Sequence, residues 1–292
     1  MGKPIVTNQR VCSRGGIVKN AGPDPQQQLP FFTQPTNSQV SSRHRQVKPY
    51  SKRYLQDILW KESLLAVQVS MDCQTIAELV ARLPEQLPQN SAVTRQRNTR
   101  TILSRFFPTE EIDQLPRQIL RLYEDEDLLA AVMRVLFLEA EPLVGQLVAD
   151  RLSRLPAGTA LPKDFFVQYT LEALGKREPH VSHRCCTAAR VLGWTIVDKK
   201  RYYVAQQNPN ETVALLILHH RYAPTPRVID LKVMLAEPTW KYLGFSDEDA
   251  VRSFMRKLEQ RRLIARYATA DRLKQVTTRY ALESLLERKV RV

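Results

Sequence analysis

Arg95, Arg97 and Arg100 sit close together on residues 91–107, a stretch with no acidic residue. A guanidinium is a planar, permanently charged fork. It gives paired hydrogen bonds to phosphate oxygens or to the edge of a guanine. Two further stretches repeat the pattern. Residues 182–205 place Arg184 on a helix and Lys199, Lys200 and Arg201 at the tip of a hairpin; residues 246–279 place Arg252 and Arg256 four apart, then Arg266, Arg272 and Lys274. With Arg105 at the end of the first stretch, these are the candidate DNA-binding residues. Each stretch opens on a serine, Ser91, Ser182 or Ser246, a residue type suited to capping a helix. A basic helix that recurs points to a nucleic-acid partner before any small substrate.

Helices that carry such residues must be positioned by others, and the charge along the chain says where. The net charge is +14, from 44 Lys and Arg against 30 Asp and Glu. It is segregated: residues 1–50 carry 7 basic and 1 acidic residue, 51–110 carry 8 and 6, 111–178 carry 8 and 12, and 179–292 carry 21 and 11. Basic ends around an acidic middle fit a polyanionic partner better than plain solubility does.

Residues 1–49 have no periodic apolar face and are rich in proline and glutamine, so they are expected to be a disordered basic tail. Residues 50–108 are expected to form a helix-turn-helix domain. A first helix of about twenty residues follows from Tyr54, Ile58, Leu65 and Val69 at helical spacing. A second follows over 74–83 capped by Asp72, then a turn bracketed by Pro84 and Pro88. The third has Val93, Ile102 and Phe106 inward and Arg95, Arg97, Arg100 and Arg105 outward. Residues 109–177 show four leucine- and phenylalanine-marked helices joined by short loops, a helical bundle. Residues 178–225 suggest a winged-helix-like unit: a helix from Ser182 to Leu192, a stop at Gly193, and a hairpin about residues 198–201. Within it, residues 213–220 are apolar enough for a buried helix or strand. Residues 226–292 suggest a C-terminal winged-helix domain, with helices over 228–236 and 238–243 and a third capped by Ser246 with Asp249 completing a capping box. A hairpin across 269–274 and a final helix follow. The fold class expected is therefore mainly α, a helix-turn-helix unit, a helical bundle and winged-helix units with short β-hairpin wings.

The three basic helices are not equivalent. The third begins Asp247-Glu248-Asp249, and the start of such a helix is the part that approaches the major groove. Three carboxylates there would meet phosphates head on, so direct contact is expected from the first stretch, then the second. The third suits a dimer or partner surface.

Other chemistry finds little footing. His180, His183, Cys185 and Cys186 offer four ligand types within seven residues, but residues so crowded diverge around a helix axis, and the paired Cys-x-x-Cys spacing is missing. No metal site or cofactor is expected. There is no phosphate-binding glycine loop, no His-Glu-x-x-His and no recognisable nucleophile setting, so no enzyme is expected. Four cysteines are too few for a disulfide scaffold and suggest a reducing, cytoplasmic compartment. No membrane span or signal peptide is evident in the sequence.

The segment Glu62-Ser-Leu-Leu-Ala-Val, the run from Ser91 to Arg100, and the helices over 128–138, 143–155 and 165–174 together resemble the BrxA family of bacterial BREX phage-defence systems, over residues 50–192. The resemblance implies a small helical DNA-binding component without enzymatic activity, in company with a methyltransferase and large ATPases. It favours Arg95, Arg97 and Arg100 as contacts. The function expected is a non-enzymatic accessory that grips double-stranded DNA mainly by its phosphates, with homo-oligomers open. Alternatives are a winged-helix protein scaffold or adaptor, a plasmid replication or transcription regulator, and a metal-dependent nuclease.

Overall fold

Residues 57–268 and 274–292 are described by the computed structural model; they are mainly helical, with two small antiparallel sheets. The expected tail and Arg272 lie outside the described residues. The first three helices are α1 (Trp60–Ser70), α2 (Ile76–Gln86) and α3 (Ala92–Phe106). Helix α1 is shorter than its periodicity predicts, because Leu59 at φ 50° adopts a left-handed backbone that a helix cannot continue through. Thr75, not Asp72, caps α2: its hydroxyl accepts from the Glu78 N–H at 3.2 Å, and the Glu78 carboxylate accepts from the Gln74 N–H at 2.8 Å. Pro84, expected in the turn, lies inside α2. It removes one N–H, and Val80, whose carbonyl loses that partner, is on the exposed side of the helix. Leu79 and Leu83 of α2 and Ile102 and Phe106 of α3 are buried, whereas Val93, expected inward, is 77% exposed.

Next come α4 (Leu115–Tyr123), α5 (Glu126–Ala140) and α6 (Pro142–Gln146). Asp125 starts α5 by accepting from the Leu128 N–H at 2.9 Å. After α6 the rod continues as a π turn (Leu147–Arg151) and a 3-10 turn (Leu152–Arg154). Then follow an extended segment at 159–161, α7 (Phe165–Leu174), α8 (Pro179–Val191), β1 (Thr195–Asp198) and β2 (Arg201–Val204). The extended segment lies along β2: Leu161 N–H donates to the Tyr202 carbonyl at 2.8 Å and Val204 N–H to the Thr159 carbonyl at 2.9 Å. The boundary expected at 177/178 therefore falls inside a continuous run of elements that begins at α6.

The same run recurs. It comprises α9 (Glu211–Tyr222), β3 (Val228–Asp230), α10 (Leu231–Leu235), α11 (Thr239–Tyr242), α12 (Glu248–Gln260), β4 (Ile264–Ala268) and β5 (Gln275–Thr278), with strand order β3-β5-β4. Helix α13 (Leu282–Glu287) follows. In both runs a helix leads to a short extended segment, further helices (α7 and α8 in the first, α10, α11 and α12 in the second) and a hairpin, and the extended segment pairs with the hairpin's second arm. The 213–220 stretch is helical, started by Asn210, which accepts from the Val213 N–H. Residues 228–230, expected as helix, are strand, and Asp230 then caps α10 by accepting from the N–H groups of Lys232 and Val233.

Helix α5 packs against α3, α4, α6, α9 and α11, which puts Val132, Met133, Phe137 and Leu138 at the centre of the core. The chain end returns to this centre, where the Tyr123 hydroxyl donates to the Val290 carbonyl and Arg291 pairs with Asp125 at 2.8 Å. Helix α9 is buried along most of its length, and its His219 is wholly so. Burial pushes the His219 pKa down from 6.5 to about 4. Between those values the unfolded chain binds a proton that the folded one refuses, so stability falls as pH falls through that window. In urea titrations at pH 7 and pH 4.5, the wild type should lose about 2 kcal/mol more than His219→Leu between the two. Equal losses in both proteins would show that this histidine does not govern the acid limb.

Candidate nucleic-acid interface

Helix α3 has two faces, and its arginines divide between them. Buried Ile102 and Phe106 fix the inner face, while Gln96, Arg97, Arg100 and Ser104 recur on the exposed one. Arg97 and Arg100 are where the spacing predicts. Arg95 is turned back on the α2–α3 turn, donating to the carbonyls of Gln89 at 2.7 Å and Asn90 at 3.2 Å. It shapes the approach to the helix instead of standing free.

Arg105 corrects the expectation outright. It follows Ile102 by three residues, which puts it on the inner face, and it is 5% exposed. Its Nε donates to Glu141 at 2.7 Å and its Nη1 to the carbonyls of Asp57 at 2.9 Å and Ile58 at 3.1 Å. The guanidinium also lies 4.9 Å from the centre of the Phe137 ring. Burial pushes the Glu141 carboxyl up, opposed by the guanidinium beside it.

Helix α8 starts earlier than expected. Pro179 occupies its first position and Glu178 precedes it, so Ser182 is an interior residue, buried and hydrogen-bonded to the Glu178 carbonyl and the Thr170 hydroxyl. Val181, Cys185, Ala188 and Ala189 face the core; His180, His183 and Arg190 are exposed, and Arg184 and Thr187 partly so. The outward face therefore carries histidines and arginines and no acid. Gly193, at φ 77°, ends the helix in the left-handed region that suits glycine. The hairpin turns at Lys199 and Lys200, both at positive φ (46° and 65°), so two lysines occupy a turn that glycine and asparagine usually fill. Those lysines and Arg201 are exposed, with no ion pair among the described residues.

Helices α3 and α8 meet at one carboxylate. The Asp57 side chain lies 3.8 Å from Arg97 Nη2 and 3.0 Å from Arg184 Nη2. Two basic faces that are far apart in sequence are thus neighbours in space.

Helix α12 matches α8 in length, thirteen residues each, and both end in a left-handed residue, Gly193 or Arg262. Aligned by their ends, Glu178 corresponds to Asp247, His180 to Asp249, and Arg190 to Glu259. Asp247, not Ser246, is the cap: it accepts from the Ala250 N–H at 2.8 Å, which holds its carboxyl below the usual range. Arg252 is drawn to Glu248 at 3.1 Å and Asp249 at 3.7 Å, while Arg256 is exposed with its guanidinium 5.9 Å from the Tyr267 ring centre. Arg266 on β4 and Lys274 beside β5 are exposed.

His180, His183 and Arg190 are the exposed residues that sequence spacing missed. Their signal was present, at intervals of three and seven opposite Val181, Cys185 and Ala188, but the adjacent cysteines drew attention to metal binding. Cys185 is buried with its thiol pushed up to about 12 by burial, and Cys186 is partly buried with its thiol also raised. Among the described residues no three His, Cys, Asp or Glu side chains lie close enough to hold a metal ion. No helix there is long and apolar enough to cross a membrane.

Arg105 and Arg97 should separate sharply in urea unfolding. Arg105→Ala leaves Glu141 buried without its partner and should cost about 3–5 kcal/mol. Arg97→Ala removes an exposed side chain and should change stability by less than about 0.5 kcal/mol. An Arg105→Ala protein as stable as the wild type would return Arg105 to the surface. No known protein family, curated protein or solved structure was found to match this chain, so its role is argued from the placement of these side chains.

Proposed function

We propose that the chain is a non-enzymatic, double-stranded-DNA-binding protein and that each helix–strand–helix–helix–hairpin run is a winged-helix unit. The observation that carries this is the meeting of the acid-free outward faces of α3 and α8 at Asp57, with Lys199, Lys200 and Arg201 on the adjoining hairpin. In a winged unit the third helix enters the major groove and the hairpin follows the backbone, and α8 has the residues for it: His180, His183, Arg184 and Arg190. Exposed arginines and lysines on helix faces and a hairpin tip favour phosphate contact over base discrimination. The resemblance to the BrxA family agrees with this assignment and extends it to an accessory of a bacterial phage-defence system, alongside a methyltransferase and ATPases.

The C-terminal run supports a different role. Its helix α12 opens with carboxylates that repel phosphate, and Arg252 is already held by two of them. We assign α12 to a protein partner or a second copy of the chain, with Arg266 and Lys274 of the following hairpin as secondary backbone contacts.

Fluorescence anisotropy with a labelled duplex tests the proposal. Affinity should fall about tenfold or more across a few-fold rise in salt, and Arg97→Ala with Arg100→Ala should lower the log–log slope by about two. Supercoiled plasmid incubated with the protein and Mg²⁺ or Mn²⁺ should stay intact. Absent or salt-independent binding would overturn the DNA assignment, and nicking would overturn the non-enzymatic one.

A further inference from the structure

We propose that Arg97 and Arg184 form a single phosphate site, and that Asp57 occupies it in the free protein and swings out when a phosphodiester enters. The proposal rests on the DNA-binding role argued above and identifies where one backbone phosphate sits. Arg97 comes from α3 and Arg184 from α8, yet each directs a terminal nitrogen to a different oxygen of the same carboxylate, at 3.8 and 3.0 Å. A phosphodiester offers the same features, one negative charge and two free oxygens, so the geometry that receives Asp57 suits it too.

The Asp57 side chain is about half exposed, as are its partners to differing degrees: 50% for Asp57, 63% for Arg97 and 36% for Arg184. Exposed pairs of this kind are weak and screened by salt, so a phosphate from a polyanion displaces the carboxylate easily. The backbone of Asp57 cannot leave with it, because its carbonyl accepts from buried Arg105 at 2.9 Å. Asp57 is therefore fixed at its main chain and free at its carboxylate. It holds the two guanidinium groups in place before binding and competes with the phosphate during it. Competition lowers the affinity for any duplex, whatever its sequence.

The test uses the full chain and a labelled duplex at fixed moderate salt. Asp57→Asn removes the competing charge and keeps the backbone contact, and Asp57→Ser serves as a second variant. Either should tighten binding by about fivefold, the size of a weak surface pair. Asp127→Asn, an exposed acid at the opposite end of α5 from Glu141, removes the same charge elsewhere and should change binding by less than about twofold. In a chain carrying Arg97→Ala and Arg184→Ala, the gain from Asp57→Asn should vanish. Unchanged or weaker binding by both Asp57 variants, with the wild type still bound to DNA, overturns the shared site and leaves the DNA role standing. A gain that survives loss of both arginines, or that Asp127→Asn matches, overturns it as a general charge effect. If neither the wild type nor the Asp57 variants bind, both proposals fall together.

Discussion

Arg105 and Glu141 make the contact on which the placement of α3 against α8 depends. A buried ion pair adds little net stability over apolar side chains of the same size, but it tolerates few arrangements. Here one guanidinium joins the end of α3 to the α5–α6 turn at Glu141 and holds the carbonyls of residues 57 and 58. The ring of Phe137 covers it from α5. Three pieces of chain are thereby locked together: the entry to α1, the end of α3 and the start of the first repeated run. Helix α8 packs on α6 immediately beyond Glu141, so its position relative to α3 follows from the same contact.

The repeated run shows how one backbone arrangement serves two surfaces. Inward positions of α8 and α12 are equivalent, with Cys185 matched by Phe254 and Ala189 by Leu258, all buried. Both helices break at a left-handed residue and enter a hairpin. The difference lies outside, where α8 carries His180 and Arg190 and α12 carries Asp249 and Glu259 at the same places. Packing therefore dictates the framework and leaves the outward charge free to vary. That variation gives the two helices outward faces of opposite charge.

Much of this was legible from periodicity. The strands of both hairpins, the helices of the middle region and the outward direction of Arg97 and Arg100 all follow from apolar spacing and turn residues. The failures have physical causes. Ser182 and Ser246 look like caps because a serine precedes each apolar run, yet Pro179 starts α8 earlier and Asp247 outcompetes the neighbouring serine for α12. Arg105 looked like a surface cation because a charged residue is seldom buried; the carboxylate and carbonyls that accept it come from residues 36 to 48 positions away. Val93 looks like core by its apolar side chain, but it lies four residues before Arg97 and nine before Ile102, which puts it on the outward face of α3. The pairing of the 159–161 segment with β2 is likewise a long-range contact, and no local pattern announced it.

The acidic middle of the chain acquires a role once the fold is in view. Glu139 is drawn inward beside Arg221, where Glu237 of the second run joins it, Asp125 caps α5 and meets Arg291, and Glu141 is paired in the core. These acids are spent on internal contacts, so they do little to neutralise the arginines of α3 and α8. Asp57, from outside that middle, is half exposed between two basic helices. The exposed positive charge therefore lies on α3, α8 and the Lys199–Lys200 turn, whereas the first turn of α12 exposes carboxylates. The sign of each surface thus follows from where acids are drawn inward as much as from where arginines are exposed.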